Sequence, residues 1–252
     1  MTESLGRLRG FVGHDEIDRT LLVVDSDEPT PLTRLLEDAF ENQPVTVATA
    51  TTDTVDGPRV VLVEGGETVA VSPLGDLMDA YLLVNSDSYR TATAGLDRHG
   101  APDVLTALAG TRFRVRGYPV SNKEKLLLVV LSRYIEARAL AADGGTLRSS
   151  FQRLSRIDDE RGTRAVYERL GASAVDTHVY GVPDYDDMPD GLSVHGGTDP
   201  AYRRTWFVVF TPDDEQEPAA LVAVEAGANE WNGYWTFDAD LVADIEGVVA
   251  GL

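Results

Sequence analysis

His178 and Tyr180 stand two apart in the segment Val-Asp-Thr-His-Val-Tyr-Gly-Val-Pro-Asp that opens at Val175. In an extended strand that spacing turns both side chains to one face. An imidazole beside a phenol offers donors and acceptors near neutral pH, which suits recognition of a small polar molecule. The alternative is two half-buried strand residues bonded to their neighbours. Trp206, Trp231 and Trp235 all fall near the C-terminal end, with Tyr234 and Phe237 among them. Aromatics bring large contact area at small entropic cost, which fits a ligand pocket or a dimer face, and equally a core. Trp206, leading into Phe207-Val208-Val209-Phe210, reads as core; Trp231, between Glu230 and Asn232, reads as partly exposed. His178, Tyr180, Trp231, Tyr234 and Trp235 form the candidate ligand site.

Two further groupings invite chemistry. Arg112, Arg114 and Arg116 alternate with Phe113 and Val115, so one strand face carries three guanidiniums, with Lys123 and Lys125 just beyond. Such a face can take a carboxylate, a phosphate or a partner; it can also pair with the protein's own carboxylates and blunt a sheet edge. Asp184, Asp186, Asp187 and Asp190 surround Tyr185 and Met188 in a turn-rich loop. Clustered carboxylates can hold a hard cation, but the glycine and closing glutamate of an EF-hand loop are missing, so the loop reads as solvated. No nucleophile elbow, HExxH, Walker A or dinucleotide fingerprint occurs. The four histidines, His14, His99, His178 and His195, are scattered, and there is no cysteine. No catalytic residue, metal site or cofactor is therefore assigned. A metal-assisted hydrolase drawing on His178, His195 and the Asp184–Asp190 loop is the enzymatic alternative.

The elements that must position these groups sit in an acidic chain. It has 252 residues, 42 Asp and Glu against 22 Lys and Arg, a net charge of −20, and Lys123 and Lys125 as its lysines. A chain that is 43% hydrophobic can bury a sizeable core. The acidic, lysine-poor composition resembles proteins of salt-loaded archaeal cytosols, where salt screens self-repulsion and carboxylates keep the surface hydrated. Binding to duplex nucleic acid is disfavoured, because it needs a positive footprint. The N-terminus carries no apolar signal region and no run is long enough to span a bilayer, so a soluble cytoplasmic protein is expected.

The periodicities predict an α/β fold, with α+β as the alternative: mixed sheets with packed helices in two units. Residues 1–90 read as an N-terminal α/β unit, 91–104 as a linker, and 105–252 as a second domain. In the first unit a strand through Thr20–Val24 leads to a helix capped by Thr30 with Pro31 at its first position. Strand Val45–Ala50 follows, then the hairpin Arg59–Val63 and Thr68–Val71 around Gly65-Gly66, and a helix opened by Ser72-Pro73. In the second, a short helix at Asp103–Leu108 and strand Thr111–Tyr118 precede a long helix opened by the capping box Ser121/Glu124. Ser132, Arg133 and Glu136 are expected to mark its polar side. A strand at Thr146, a helix with Gly171 as left-handed cap, and strands Val175–Val182, Leu192–His195, Thr205–Thr211, Ala219–Glu225 and Trp231–Phe237 complete it. Asp238 or Asp240 caps a final helix. The two halves repeat one order of strands and helices, which suggests an internal duplication, although α/β domains share this grammar in general.

FQRLS at 151–155, the helix bearing VYERLG, VDTHVYGVPD, RRTWFVVF and GYWTFDADLV resemble the DICT domain, named for diguanylate cyclases and two-component systems. The SRYIEARA run resembles the helix preceding the FQRL strand in that family. The likeness spans most of Leu105–Leu241, and the N-terminal unit resembles the leading region of archaeal relatives. The resemblance implies a non-catalytic sensory module that recognises a ligand. With no kinase, cyclase or helix-turn-helix attached, the signal would pass in trans to a kinase or transcriptional regulator. The implied partners are an unidentified small molecule and a signalling protein, with a homodimer or a ligand-free scaffold as further alternatives.

Overall fold

The computed structural model describes residues 2–12, 18–24, 31–40, 43–51, 57–77, 102–116, 123–158 and 161–252. The chain is α/β, with mixed parallel and antiparallel pairing and helices packed on the sheets. It divides into two units, one of residues 14–130 and one of residues 1–13 with 131–252.

This division differs from the 1–90/91–104/105–252 partition, for two physical reasons. Helix α1 (Thr2–Phe11) buries Leu5 and Leu8 in the hydrophobic core of the C-terminal unit. Residues 102–116 are tied instead to the 14–130 unit: Val104 N–H donates to Ser72 Oγ at 3.1 Å and Arg19 donates to the Leu108 carbonyl at 3.3 Å. Residues 78–101, which hold most of the expected linker, lie outside the described residues, as do Thr30 and Ser121.

In the 14–130 unit, β1 (Arg19–Val24) crosses through α2 (Pro31–Phe40) to β2 (Val45–Ala50), which pairs parallel to it. β3 (Arg59–Glu64) pairs antiparallel to β1, and β4 (Glu67–Pro73) to β3, giving the order β2-β1-β3-β4. The hairpin turn has Gly65 at φ 58° and Gly66 at φ 88°. Two successive positive φ values match the right-handed twist of the strands, which is why glycine is needed twice. Leu21, Val23, Val60 and Leu62 share one face of the sheet and are fully buried. Helix α3 (Asp103–Ala107) packs on β3 and β4. Strand β5 (Arg112–Arg116) buries Phe113 and Val115 as its alternation requires.

The C-terminal unit contains α1, the part of α4 (Lys123–Ala141) from Leu131 onward, β6 (Gly145–Arg153), a 3-10 turn at Leu154–Ile157, and α5 (Arg161–Gly171). β7 (Val175–Val182), β8 (Leu192–Gly196), α6 (Pro200–Arg203), β9 (Thr205–Pro212), β10 (Ala219–Gly227), β11 (Glu230–Thr236) and α7 (Ala239–Val249) follow. Within the unit the strands run β11-β10-β9-β6-β7-β8, with β8 at an edge. β6, β7 and β8 are mutually parallel, and β9, β10 and β11 continue antiparallel. Phe207, Val209, Ala220, Val222 and Val224 on one face meet α1, α6 and α7. The opposite face, with Phe151, Trp206 and Trp235, meets α4 and α5, as the Phe151–Tyr167 ring contact at 5.0 Å and the bond from Trp206 Nε1 to Ser132 Oγ at 3.0 Å show.

Two expectations change here. Ser132, Arg133 and Glu136 do not mark a solvated side of α4: all three are buried. Arg133 Nη1 donates to Glu136 Oε2 at 2.5 Å, Tyr167 O–H donates to Glu136 Oε1 at 2.9 Å, and Arg133 also donates to Thr163. Polar groups on a helix are tolerated inside when each finds a partner, so the polar stripe faces α5. Gly171 is not a left-handed cap. Glycine is required there because a Cβ would lie 2.1 Å from the Asp190 carbonyl oxygen.

The expected repeat has a topological basis. β1-α2-β2-β3-β4 and β6-α5-β7-β9-β10 have the same order and the same directions. In each, two parallel strands joined by a crossover helix are flanked, on the first strand's free side, by an antiparallel hairpin.

Candidate functional site

The C-terminal unit lines up a set of polar groups across its three parallel strands. Register pairs Arg148 with His178 and Tyr180 with His195, so β6, β7 and β8 each turn a polar side chain to the α1/α7 face. His178 Nε2 is 3.0 Å from Asp176 Oδ2, and His178 Nδ1 is 2.9 Å from His195 Nε2. The His195 ring stacks on Tyr180, with centroids 4.4 Å apart and planes 9° from parallel. The Tyr180 hydroxyl oxygen accepts from Arg148 Nη1 at 2.7 Å, and Arg148 Nε donates to Glu246 Oε1 at 2.8 Å. A continuous chain therefore runs from a solvent-facing carboxylate on β7 to a helix α7 carboxylate.

The electrostatics follow from burial and neighbours. Burial pushes the Tyr180 hydroxyl up, against the pull of Arg148. Burial works against the charge of Arg148, but bonding to Glu246 and the proximity of Tyr180 outweigh it and hold the guanidinium protonated. His195 is held below the ordinary histidine value of 6.5, first by burial and then by His178 and Arg148. The Asp176 carboxylate fixes the His178 tautomer: Nε2–H donates to it, leaving Nδ1 as acceptor toward His195.

The structure does not bring the five sequence-derived ligand residues together. His178 and Tyr180 share the face just described. Tyr234 pairs with Val222 on that same face, but on β11, four strands away from β7. Trp235 pairs with Leu221 and is buried on the opposite face, where it meets Phe237; Trp231 lies on the Trp235 side and is half-buried. The Arg112, Arg114 and Arg116 set sits on β5, in the 14–130 unit. Arg114 is exposed, and its backbone is held at both ends by Gln43, whose Oε1 accepts from N–H at 2.9 Å.

The aspartate loop is engaged elsewhere. Asp184 accepts from Arg153 Nε at 2.8 Å, from Ser155 N–H at 3.0 Å and from Ser155 O–H at 2.9 Å. Burial opposes its charge, yet these donors hold its pKa at about 2. Asp187 pairs with Arg164 at 3.2 Å. Among the described residues no three His, Asp or Glu side chains gather to hold a metal. The FQRLS and VYGVPD segments, singled out by sequence, are thus joined by Asp184. Gly181 lets them approach, since a Cβ there would stand 3.1 Å from the Leu154 nitrogen.

Arg148, Asp176 and Glu246 were not singled out from the sequence, and His195 was drawn on there only for the enzymatic alternative. A signal existed for His195, on the strand that follows β7 and bears an imidazole. Nothing local marks Arg148 or Glu246, which lie 98 positions apart. Among the described residues no helix is long and apolar enough to cross a membrane. No family model and no curated protein matches the chain.

Proposed function

We propose that the C-terminal unit is a non-catalytic sensory module of the DICT type. It recognises a small molecule beside His178, Tyr180 and His195 and passes the signal in trans to a kinase or transcriptional regulator. The observation that carries this reading is the oriented chain Asp176–His178–His195, stacked on Tyr180 and backed by Arg148 and Glu246. A few fixed polar groups beside an aromatic ring are the usual means of orienting a small ligand. The metal-assisted hydrolase reading is less well supported, because Asp184 and Asp187 already serve Arg153 and Arg164.

A thermal-shift screen of metabolites and nucleotides in molar potassium chloride tests the proposal, since a ligand of the folded state raises the melting temperature. A hit should protect residues 176–180 and 192–196 from hydrogen exchange, and His178→Ala should weaken it. A hit that protects only the 14–130 unit overturns the assignment, and turnover of the hit restores the enzymatic alternative.

A further inference from the structure

The two imidazoles meet in line. Their centroids are 5.2 Å apart, the 2.9 Å nitrogen separation extended by the radius of each five-membered ring. The facing nitrogens therefore lie on the line joining the ring centres, as in an N–H···N hydrogen bond. One proton fits between them. We propose that this contact is a pH-sensitive latch on edge strand β8, closed while at most one of the two rings is protonated and opened when both are.

The proton count follows from the bonds. With His178 Nε2–H committed to Asp176, the lone pair on His178 Nδ1 accepts from His195 Nε2–H. One added proton, on whichever ring, still leaves a single N–H between the facing nitrogens and the bond intact. With both rings protonated, two N–H groups stand head to head at hydrogen-bond distance. The rings then separate, and His195 leaves Tyr180.

Charged and titratable groups surround the pair and the residues it rests on, while α1 brings Leu5 and Leu8 to this face. Asp176 and Tyr180 lie on β7, Arg148 on β6, Glu246 on α7, and Tyr202 with Asp199 at α6, the Tyr202 ring 6.4 Å from that of Tyr180. Asp176 favours a proton on His195; His178 and Arg148 oppose it. β8 is the element set to respond. It is short, pairs only with β7 within the unit, and carries exposed Ser193 and Val194. Burial, and next the charges of His178 and Arg148, hold His195 below its ordinary value of 6.5, so the pair is closed above that pH and the doubly protonated, open pair gains only as pH falls below it.

The test is hydrogen exchange of the full chain in molar potassium chloride from pH 7.5 to 5, expressed as protection factors so that intrinsic exchange is removed. Protection of 192–196 should fall about tenfold relative to β9 and β10, the effect of one pH unit of differential proton binding. His178→Gln keeps an acceptor toward His195 and a donor toward Asp176 but cannot be protonated; its β8 protection should be flat with pH. His195→Phe keeps the stacking on Tyr180 and should be flat as well. Unchanged wild-type protection across the range, or an equal fall in both variants, overturns the latch. Its use as a signal rests on the sensory reading above, but the opening of β8 does not, so the exchange result and the ligand screen can fail independently.

Discussion

Replacing Arg133 by methionine should destabilise the C-terminal unit by about 3–5 kcal/mol, the usual effect of stranding one partner of a buried ion pair. The Arg133 and Glu136 side chains are only 7% and 5% exposed and meet at 2.5 Å. Without the guanidinium, Glu136 keeps one neutral donor, the Tyr167 hydroxyl at 2.9 Å, in an interface closed to water. Burial, and next the Glu136 charge, push the Tyr167 hydroxyl well above its ordinary value, so it stays a neutral donor to Glu136 and brings no positive charge. In a unit of this size 1 kcal/mol moves Tm by about 2–4 °C, which places the loss at roughly 6–20 °C. Urea unfolding in molar potassium chloride, followed by tryptophan fluorescence, measures it. The double variant Arg133→Met/Glu136→Leu removes both charges and should recover at least about 2 kcal/mol of the combined single losses. Arg153→Met is the control: Arg153 is 60% exposed in its pair with Asp184 and should lose under about 1 kcal/mol. A loss below about 1 kcal/mol for Arg133→Met, or strict additivity in the double variant, would refute the reasoning.

Gly171→Ala, despite the better helix former, should lower stability by about 1–3 kcal/mol in the same assay, because its Cβ would meet the Asp190 carbonyl at 2.1 Å. Gly6→Ala in α1 has nothing within 4 Å and should gain about 0.5–1 kcal/mol instead. The Asp184 carboxyl should titrate by NMR near pH 2, below its ordinary 3.8, and move upward in Ser155→Ala; its contribution to stability is present above 3.8 and lost as pH falls through about 2. With a net charge of −20, the chain should lose cooperative circular dichroism at millimolar salt and regain it in molar potassium chloride; a fully cooperative fold at low salt would overturn the salt-adapted reading.

Much of the fold was legible because local chemistry and tertiary packing agree. Strand Val45–Ala50 and the Gly65-Gly66 hairpin follow from β-branched runs and glycine turns, and Asp238 caps α7 as expected, accepting from Leu241 N–H at 2.9 Å. Helix α1 was missed because two glycines weaken its propensity and Leu5, Leu8 and Phe11 make a thin apolar stripe; its stability comes from the core it enters. The burial of Arg133 and Glu136 was invisible for a related reason: a polar stripe looks the same whether it faces water or a complementary helix. For the site, period two placed His178 and Tyr180 together. The sheet order, which sequence does not state, sent Trp235 to the other face and Tyr234 four strands away.

Strand β8 has no counterpart in the plan that the two units share. Leave out β8 and β11 and the strands of the C-terminal unit run β7-β6-β9-β10, the order of β2-β1-β3-β4 in the 14–130 unit, where β2, the equivalent of β7, is itself the border of that four-stranded sheet. His195 thus arrives on an accessory strand, while His178 and Tyr180 ride on a strand common to both plans. The residue that joins His178 to the Tyr180 ring therefore stands at the margin of the sheet, where a strand can change without disturbing the central pairings. Variation in what such a unit responds to can therefore accumulate in β8 and its flanking loops, leaving the α/β frame untouched.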